Sequence, residues 1–241
     1  MGRRGRWAAL CAVGALLLTG CGPRGAHASA GYAGAEQLPE RLGEDGVTIE
    51  VGDPQADMTV HLYEDPRCPY CEEFETVTGG GPALLGAMLD GRARTGYTMA
   101  SFLDDRLGGS GSKKAVNALR AALEQGKFVE YHKVLYDNQP EESVDGFTDA
   151  VLLDLAAQVE GLRGPAFDTA VRTMKYRSFV TAAQQAYEAA KAPRGPGTPT
   201  AVINGRMIPM ERNAVLFDGG AFARLLQEIY NKPSEWKRTP L

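Results

Sequence analysis

Residues 59–71 have the sequence TVHLYEDPRCPYC, which ends in two cysteines separated by two residues. The β-branched and aromatic residues at the start of this stretch predict a strand. Asp65-Pro66 ends that strand, and Pro69 suits the first turn of a helix. The sequence therefore predicts that Cys68 lies in the turn between a strand and the N-terminus of a helix.

This predicted position of Cys68 favours thiol chemistry. Free amide N–H groups and the helix dipole at a helix N-terminus stabilise a thiolate, which is the reactive form of cysteine. A stabilised thiolate is also a good leaving group in disulfide exchange. We expect Arg67 to favour the thiolate further and Glu72 and Glu73 to oppose it, so the pKa of Cys68 should be only partly lowered.

Two other roles of the cysteine pair remain open alternatives. A zinc site needs four ligands, but the chain has no second such pair and only three histidines, His27, His61 and His132. A structural disulfide between Cys68 and Cys71 would close a loop too short to restrain much chain entropy. We therefore favour redox exchange and predict no metal site.

The N-terminus has the pattern of an export signal. Three arginines within the first six residues precede an apolar run over residues 7–18. This run is shorter than the about 20 residues that span a bilayer, and it has the length of a signal-peptide core. It ends in LTGC at residues 18–21, which resembles the lipobox of bacterial lipoproteins. We expect Cys21 to be lipidated; the alternative is a plain signal peptide that contains a cysteine.

Removal of this segment would change both the cysteine count and the charge. Cys11 would be lost and Cys21 would become a thioether, so Cys68 and Cys71 would remain from the four cysteines. The formal net charge of −4 would become −7, because three arginines are lost. Membrane attachment should then come from the lipid, at the extracytoplasmic face of a bacterial membrane. Without a basic stripe, nucleic acid is not an expected partner.

The rest of the chain shows strands on both sides of a helical block. Alternating apolar residues predict strands over residues 47–51, 59–63 and 97–102. Residues 112–192 follow helical spacing. Two strands then flank Asn204-Gly205, the strongest short hairpin signal, before a last amphipathic helix. The predicted order is β-β-α-β, a helical block and β-β-α.

Thr198-Pro199 lies between the helical block and this hairpin. Most Thr-Pro bonds are trans. In a chain that also carries a Cys-x-x-Cys pair, however, a Thr-Pro just before a hairpin could be cis, with its proline ring against the sulfur atoms. The neighbouring backbone could then pair with an extended substrate peptide. Thr198 and Pro199 are therefore candidate substrate-binding residues.

Several stretches resemble the DsbA-like disulfide oxidoreductases: VGDP at 51–54, YEDPRCPYC at 63–71, GKF at 126–128 and GTPT at 197–200. The resemblance implies an α/β, thioredoxin-like fold with a helical domain inserted between the β-α-β and β-β-α halves. It implies that Cys68 attacks or is attacked, that Cys71 resolves the mixed disulfide, and that Pro199 is cis.

Two positions depart from that family. Its members often carry a buried acid six residues before the first cysteine, where this chain has Leu62. Its strongly oxidising members have histidine before the second cysteine, where this chain has Tyr70 in the motif Cys68-Pro69-Tyr70-Cys71. The resemblance therefore does not predict a proton shuttle at position 62, and it does not predict the redox potential of this chain.

The predicted function is thiol–disulfide exchange with exported thiol-containing proteins, with the oxidase direction favoured. It needs no bound cofactor but requires a redox partner that reoxidises or reduces the cysteine pair. The alternative is a non-catalytic lipoprotein that binds a partner or a metal on the same scaffold.

His61 is expected to be a half-buried strand residue. The predicted boundaries are a signal peptide at 1–20, a lipidated tether at 21–46, the DsbA-like domain at 47–232 with its insertion at about 112–192, and a tail at 233–241.

Overall fold

The computed structural model describes residues 31–191 and 195–238, together with Gly2. Apart from Gly2, the predicted signal peptide lies outside the described residues, and so does Cys21. No helix in the described part of the chain is long and apolar enough to cross a membrane.

The described residues form six strands and ten α-helices, with 3-10 helices at Ala35–Gln37 and Met210–Phe217. The strands are β1 (Glu40–Leu42), β2 (Ile49–Gly52), β3 (Met58–Glu64), β4 (Ala93–Met99), β5 (Thr200–Ile203) and β6 (Arg206–Met207). The helices are α1 (Pro69–Glu75), α2 (Gly81–Leu89), α3 (Phe102–Leu107), α4 (Gly111–Leu123), α5 (Phe128–Asp137), α6 (Asp149–Ala156), α7 (Pro165–Thr173), α8 (Arg177–Ala190), α9 (Gly219–Asn231) and α10 (Pro233–Arg238).

The strands form one mixed sheet in the order β1-β2-β4-β3-β5-β6. Strands β3 and β4 are parallel, and the other neighbouring strands are antiparallel. The parallel pair requires a crossover, which α1 and α2 provide. The chain therefore leaves the end of a central strand directly into the turn that carries Cys68. Helices α3–α8 lie between β4 and β5, which confirms the predicted thioredoxin-like fold with a helical insertion.

The period-2 pattern of β3 explains which of its side chains enter the core. Val60 and Leu62 are buried on one face, whereas His61 and Tyr63 are half-buried on the other. Glu64 follows Leu62 on the buried face and is 0% exposed. A carboxyl group therefore lies in the core at the end of the strand that leads to the cysteines.

The predicted hairpin after the helical block is present. Asn204 and Gly205 connect β5 to β6, with φ angles of 50° and 78°. Positive φ at both turn residues is what a tight two-residue hairpin requires. The Asn204 side chain also accepts a hydrogen bond from the amide of Thr59 at 2.9 Å, which joins the hairpin to β3.

The ordered fold begins earlier than predicted. Strand β1 lies inside the predicted tether and pairs with β2. The Glu40 carboxylate accepts hydrogen bonds from the amides of Phe128 and Val129, at 2.8 and 3.1 Å, at the start of α5. These partners are up to 89 residues away in the chain, so local composition did not reveal them.

Two other boundaries also differ from the prediction. The strand predicted over 97–102 ends at Met99, and Phe102 begins helix α3 instead. Residues 233–238 of the predicted tail form α10, in which the Trp236 indole is buried and donates to the carbonyl of Ile203 at 2.7 Å. The buried indole explains why this segment packs against the domain.

Candidate active site

The two cysteines occupy different environments at the start of α1. Cys68 is the N-cap residue, Pro69 begins the helix, and Cys71 lies within its first turn. Cys68 is 6% exposed and Cys71 is 0% exposed, and both are free thiols. The Cys68 Sγ donates to the carbonyl oxygen of Thr198 at 3.3 Å. The fold thus brings together Cys68 and Thr198, which are 130 residues apart in the chain.

The environment separates the acidities of the two thiols. A hydrogen bond from Cys71, followed by bonds to Thr198 and to the amides of Cys71 and Tyr70, lowers the pKa of Cys68 to about 7, although burial opposes this shift. Burial, together with the hydrogen bond to Cys68, raises the pKa of Cys71 well above its usual value. At neutral pH, Cys68 is therefore the thiol that ionises readily.

The proline loop next to Cys68 is positioned by a tyrosine of the insertion. The Thr198–Pro199 peptide bond is cis, as predicted. The amide of Gly197 donates to the Tyr187 hydroxyl at 3.2 Å, and the Tyr187 ring stacks on Phe102 with centroids 5.3 Å apart. The loop is therefore attached to helices α8 and α3.

A groove of about 1120 Å³ opens beside Cys68. Residues 195–200 line it, and so do Tyr70, Phe102, Met210 and Phe217. Tyr70 is 60% exposed and lies 6.0 Å from the Phe217 ring, measured between centroids. The more accessible thiol therefore lies in a groove that has aromatic and aliphatic walls together with the charged residues Asp105, Arg106, Glu142 and Glu188.

The family of the chain follows from a comparison with known proteins. A family model described as thioredoxin matches residues 44–216. The chain belongs to the thioredoxin family. A comparison with curated protein sequences finds no significant match.

Similar solved structures show which variant of the thioredoxin fold this chain has. BdbD from Bacillus subtilis has a TM-score of 0.62 at 19% identity, with 76% of this chain and 92% of that chain covered. MdbA, a thiol-disulfide oxidoreductase from Corynebacterium diphtheriae, has a TM-score of 0.61 at 18% identity, with 79% and 92% covered. DsbA from Mycobacterium tuberculosis has a TM-score of 0.57 at 22% identity, with 76% and 98% covered. At these identities the likeness establishes a DsbA-like fold.

In this thioredoxin-family chain, Arg67 has a different partner from the one predicted. Its buried guanidinium donates to the Asp104 carboxylate at 3.0 Å and to the carbonyls of Gly108 and Glu142 at 2.9 and 3.0 Å. The expectation that Arg67 stabilises the Cys68 thiolate is therefore not supported. The arginine instead connects the active-site turn to the helical insertion.

Two neighbouring polar groups strengthen this connection, and the sequence analysis missed both. Asp65 accepts from the Ser112 hydroxyl at 2.6 Å and from the amide of Leu103 at 3.1 Å. Gln139 donates to the carbonyls of Pro66 and Cys68 at 2.8 and 3.1 Å. The sequence contained no local indication of the Gln139 contacts, since its partners are more than 70 residues away.

A cluster of three titratable groups, Glu64, Glu75 and His132, lies behind the cysteine pair. His132 Nε2 is 2.9 Å from Glu64 Oε2, and one side-chain oxygen or nitrogen atom of each of the three residues lies within 4.8 Å of the other two. Burial raises the pKa of each carboxyl to about 8 and lowers the pKa of His132. We call these residues the buried acid cluster.

The buried acid cluster is the only set of three potential metal ligands that lies close together among the described residues. We do not assign it as a metal site, because burial raises the pKa of both carboxyls to about 8 and so favours their neutral forms at pH 7. The resemblance to the family places a buried acid at position 62, which is leucine in this chain. Two signals were available: Glu64 follows Leu62 at strand spacing, and Glu75 follows Cys71 by one helical turn.

His61 lies away from the cysteines, as expected for a half-buried strand residue. Its Nε2 is 2.8 Å from the Thr98 hydroxyl, and burial lowers the pKa of its ring. It lines a separate cavity with Glu50 and Arg94, on the face of the sheet opposite Glu64.

Proposed function

We propose that this protein is a thiol–disulfide oxidoreductase that exchanges disulfides with exported thiol-containing proteins through Cys68-Pro69-Tyr70-Cys71. The observation that carries the proposal is the asymmetry of the pair. Cys68 has a pKa of about 7 and borders a groove, whereas Cys71 is fully buried beside it. This arrangement suits a first thiol that meets the substrate and a second thiol that reacts only with the first.

The oxidase direction begins from the bridged enzyme. A substrate thiolate attacks Cys68 Sγ, so that a substrate–Cys68 disulfide forms, the Cys68–Cys71 bond breaks and Cys71 leaves with the electron pair. A second substrate thiolate then attacks the substrate sulfur and displaces Cys68. The substrate leaves oxidised and the enzyme keeps two thiols. A redox partner must reoxidise them, and no bound cofactor is needed.

Substrate binding is assigned to the groove and to the loop at Thr198 and Pro199. The backbone of this loop lies next to Cys68, where an extended peptide could pair with it. Tyr70, Met210 and Phe217 offer apolar contact to the side chains that flank a substrate cysteine. Such a site would accept unfolded segments of many sequences.

We expect an oxidant of intermediate strength. A Cys68 pKa of about 7 stabilises the reduced enzyme to some extent, and a more stable reduced form makes a stronger oxidant. The potential should lie between the thioredoxin and DsbA values, about −270 and −120 mV. Equilibration with glutathione buffers, read by thiol alkylation and mass spectrometry, measures this potential. A wild-type value at or below the thioredoxin value would indicate a reductase. The variant Tyr70→His should have a higher potential than the wild type.

Lipid anchoring through Cys21 is the second part of the proposal. A diacylated residue supplies two acyl chains, which is enough for stable attachment to a membrane. We expect Cys21→Ala to move the protein from the membrane fraction to the soluble exported fraction. Cys11→Ala is the matched control, since Cys11 lies within the predicted signal peptide and its loss should leave the membrane fraction unchanged. Continued membrane association of Cys21→Ala would contradict the anchor.

A further inference from the structure

The turn that carries Cys68 is held on two sides. On the strand side, the Asp65 carboxylate accepts a hydrogen bond from the amide of Arg67 at 3.0 Å, and the Asp65 carbonyl accepts one from the amide of Cys68 at 2.9 Å. On the other side, Gln139 Nε2 donates to the carbonyls of Pro66 and Cys68, at 2.8 and 3.1 Å. One side-chain amide therefore holds the peptide groups before and after the Arg67-Cys68 pair.

The two acceptors fix the orientation of the Gln139 amide. A carbonyl can only accept, so both bonds need the NH₂ group of the glutamine. The Pro66 carbonyl belongs to a buried residue and accepts no other hydrogen bond in the described part of the chain. The Cys68 carbonyl also accepts from the amides of Cys71 and Glu72, at 3.0 and 3.1 Å, in the first turn of α1. Gln139 thus acts on the peptide group that begins this helix.

Gln139 itself is held by the helical insertion. It follows the end of α5, and its backbone amide donates to the carbonyl of Tyr136 at 3.3 Å. Helices α5 and α1 pack together, and Tyr136 lies in a small core with Cys68 and Cys71. The donor on Gln139 therefore comes from a helix that is braced against the active-site helix, so it can restrain the turn rather than follow it.

The place of the Cys68 sulfur depends on the peptide groups that Gln139 holds. Sγ lies 3.3 Å from the carbonyl oxygen of Thr198, and the amides of Tyr70 and Cys71 interact with it at the start of α1. A tilt of the peptide group that follows Cys68 would move these two amides away from Sγ. The interaction of a charge with amide dipoles weakens with distance and misalignment. A looser turn would therefore stabilise the thiolate less.

We propose that Gln139 is a positioning residue for Cys68, whose side-chain amide fixes the peptide groups around this cysteine and so keeps Sγ within reach of the amides at the start of α1. This inference rests on the proposed exchange function, since it concerns the thiol that meets the substrate. It goes beyond that function because Gln139 is not among the residues that line the groove and acts through the backbone alone. The helical insertion then contributes to the reactivity of a thiol that lies outside it.

Alkylation of the reduced full-length protein by iodoacetamide at a series of pH values tests the proposal. Cys71 is 0% exposed, so alkylation reports the thiolate of Cys68. Gln139→Met removes the two donors and keeps a side chain of similar length. We expect the midpoint of the pH profile to rise by at least about 0.5 pH units, because the thiolate loses stabilisation. Below the midpoint the rate should fall by about threefold, and above about pH 9 it should match the wild type.

The pH profile separates positioning from a purely structural role. If Gln139 only satisfied the two carbonyls, Gln139→Met would lower the urea midpoint of unfolding and leave the alkylation profile unchanged. Asn138→Leu is the matched control. The Asn138 side-chain amide donates to the carbonyl of Val134 at 2.9 Å, which is a bond of the same kind at the same helix end. Its loss should leave the alkylation midpoint at the wild-type value.

The possible results are distinct. A wild-type or lower midpoint in folded Gln139→Met would overturn the role of Gln139. If that variant does not fold, Gln139→Asn takes its place, since asparagine keeps the amide but carries it one methylene nearer the backbone. We expect a raised midpoint there too, and a wild-type midpoint would overturn the proposal.

A separate measurement tests the exchange function on which the inference rests. The bridged wild-type protein is mixed with a dithiol peptide, and the reduced protein with a disulfide peptide. A protein that neither oxidises the first nor reduces the second would contradict the exchange function, whatever the alkylation profile of Gln139→Met.

Discussion

Substitution of Cys71 by serine is expected to trap substrate proteins on Cys68. In this variant the Cys68 thiolate attacks a disulfide of a substrate protein, so that a mixed disulfide forms and the second substrate sulfur leaves as a thiolate. The unactivated hydroxyl of serine is not a nucleophile at neutral pH, so it cannot resolve this mixed disulfide. Cys68 keeps its place beside the groove, where a substrate can still reach it. We expect resolution to slow by about a thousandfold or more, in line with the removal of other enzymatic nucleophiles.

Non-reducing gels of cells that carry Cys71→Ser measure this effect as adducts that dithiothreitol removes. Cys68→Ser is the matched control and should give none, since Cys71 is 0% exposed and cannot meet a protein substrate. Adducts on Cys68→Ser alone would mean that the roles of the two cysteines are reversed.

Replacement of Arg67 by methionine should destabilise the fold without a change in the acidity of Cys68. The guanidinium is buried and pairs with the buried carboxylate of Asp104, so its removal leaves an uncompensated charge in the interior. Such a loss costs about 3–5 kcal/mol in the free energy of unfolding. Urea denaturation of the purified protein measures it.

Arg41→Met provides the matched control for stability. Arg41 pairs with Glu50 on the surface, and exposed pairs contribute at most about 1 kcal/mol. The rate of Cys68 alkylation against pH provides the second readout, with a midpoint near pH 7 in both the wild type and folded Arg67→Met. If Arg67 did stabilise the thiolate, its loss would raise the pKa of Cys68 and move that midpoint to higher pH.

Most of the architecture was predictable because its signals are local. The strand and the proline-started helix around Cys68, the helical block and the Asn204-Gly205 turn each depend on residues that are neighbours in the chain. Ordered elements extend beyond both predicted ends of the domain, as β1 and α10. Strand β1 pairs with the nearby β2, but Glu40 of β1 is also held by the start of α5, and helix α10 is held by Ile203; these last two contacts join residues that are distant in sequence.

The sequence by itself determined the cysteine pair, its place between a strand and a helix, and the candidate loop at Thr198 and Pro199. The tertiary structure alone decided what surrounds them. Arg67 faces Asp104, 37 residues away, and Glu64 faces His132, 68 residues away. Charge on a buried group depends on the partners and the solvent that the whole fold leaves within a few ångströms. The acidity of each thiol is therefore a tertiary property, whereas the Cys-x-x-Cys pair itself is visible in four consecutive residues of the sequence.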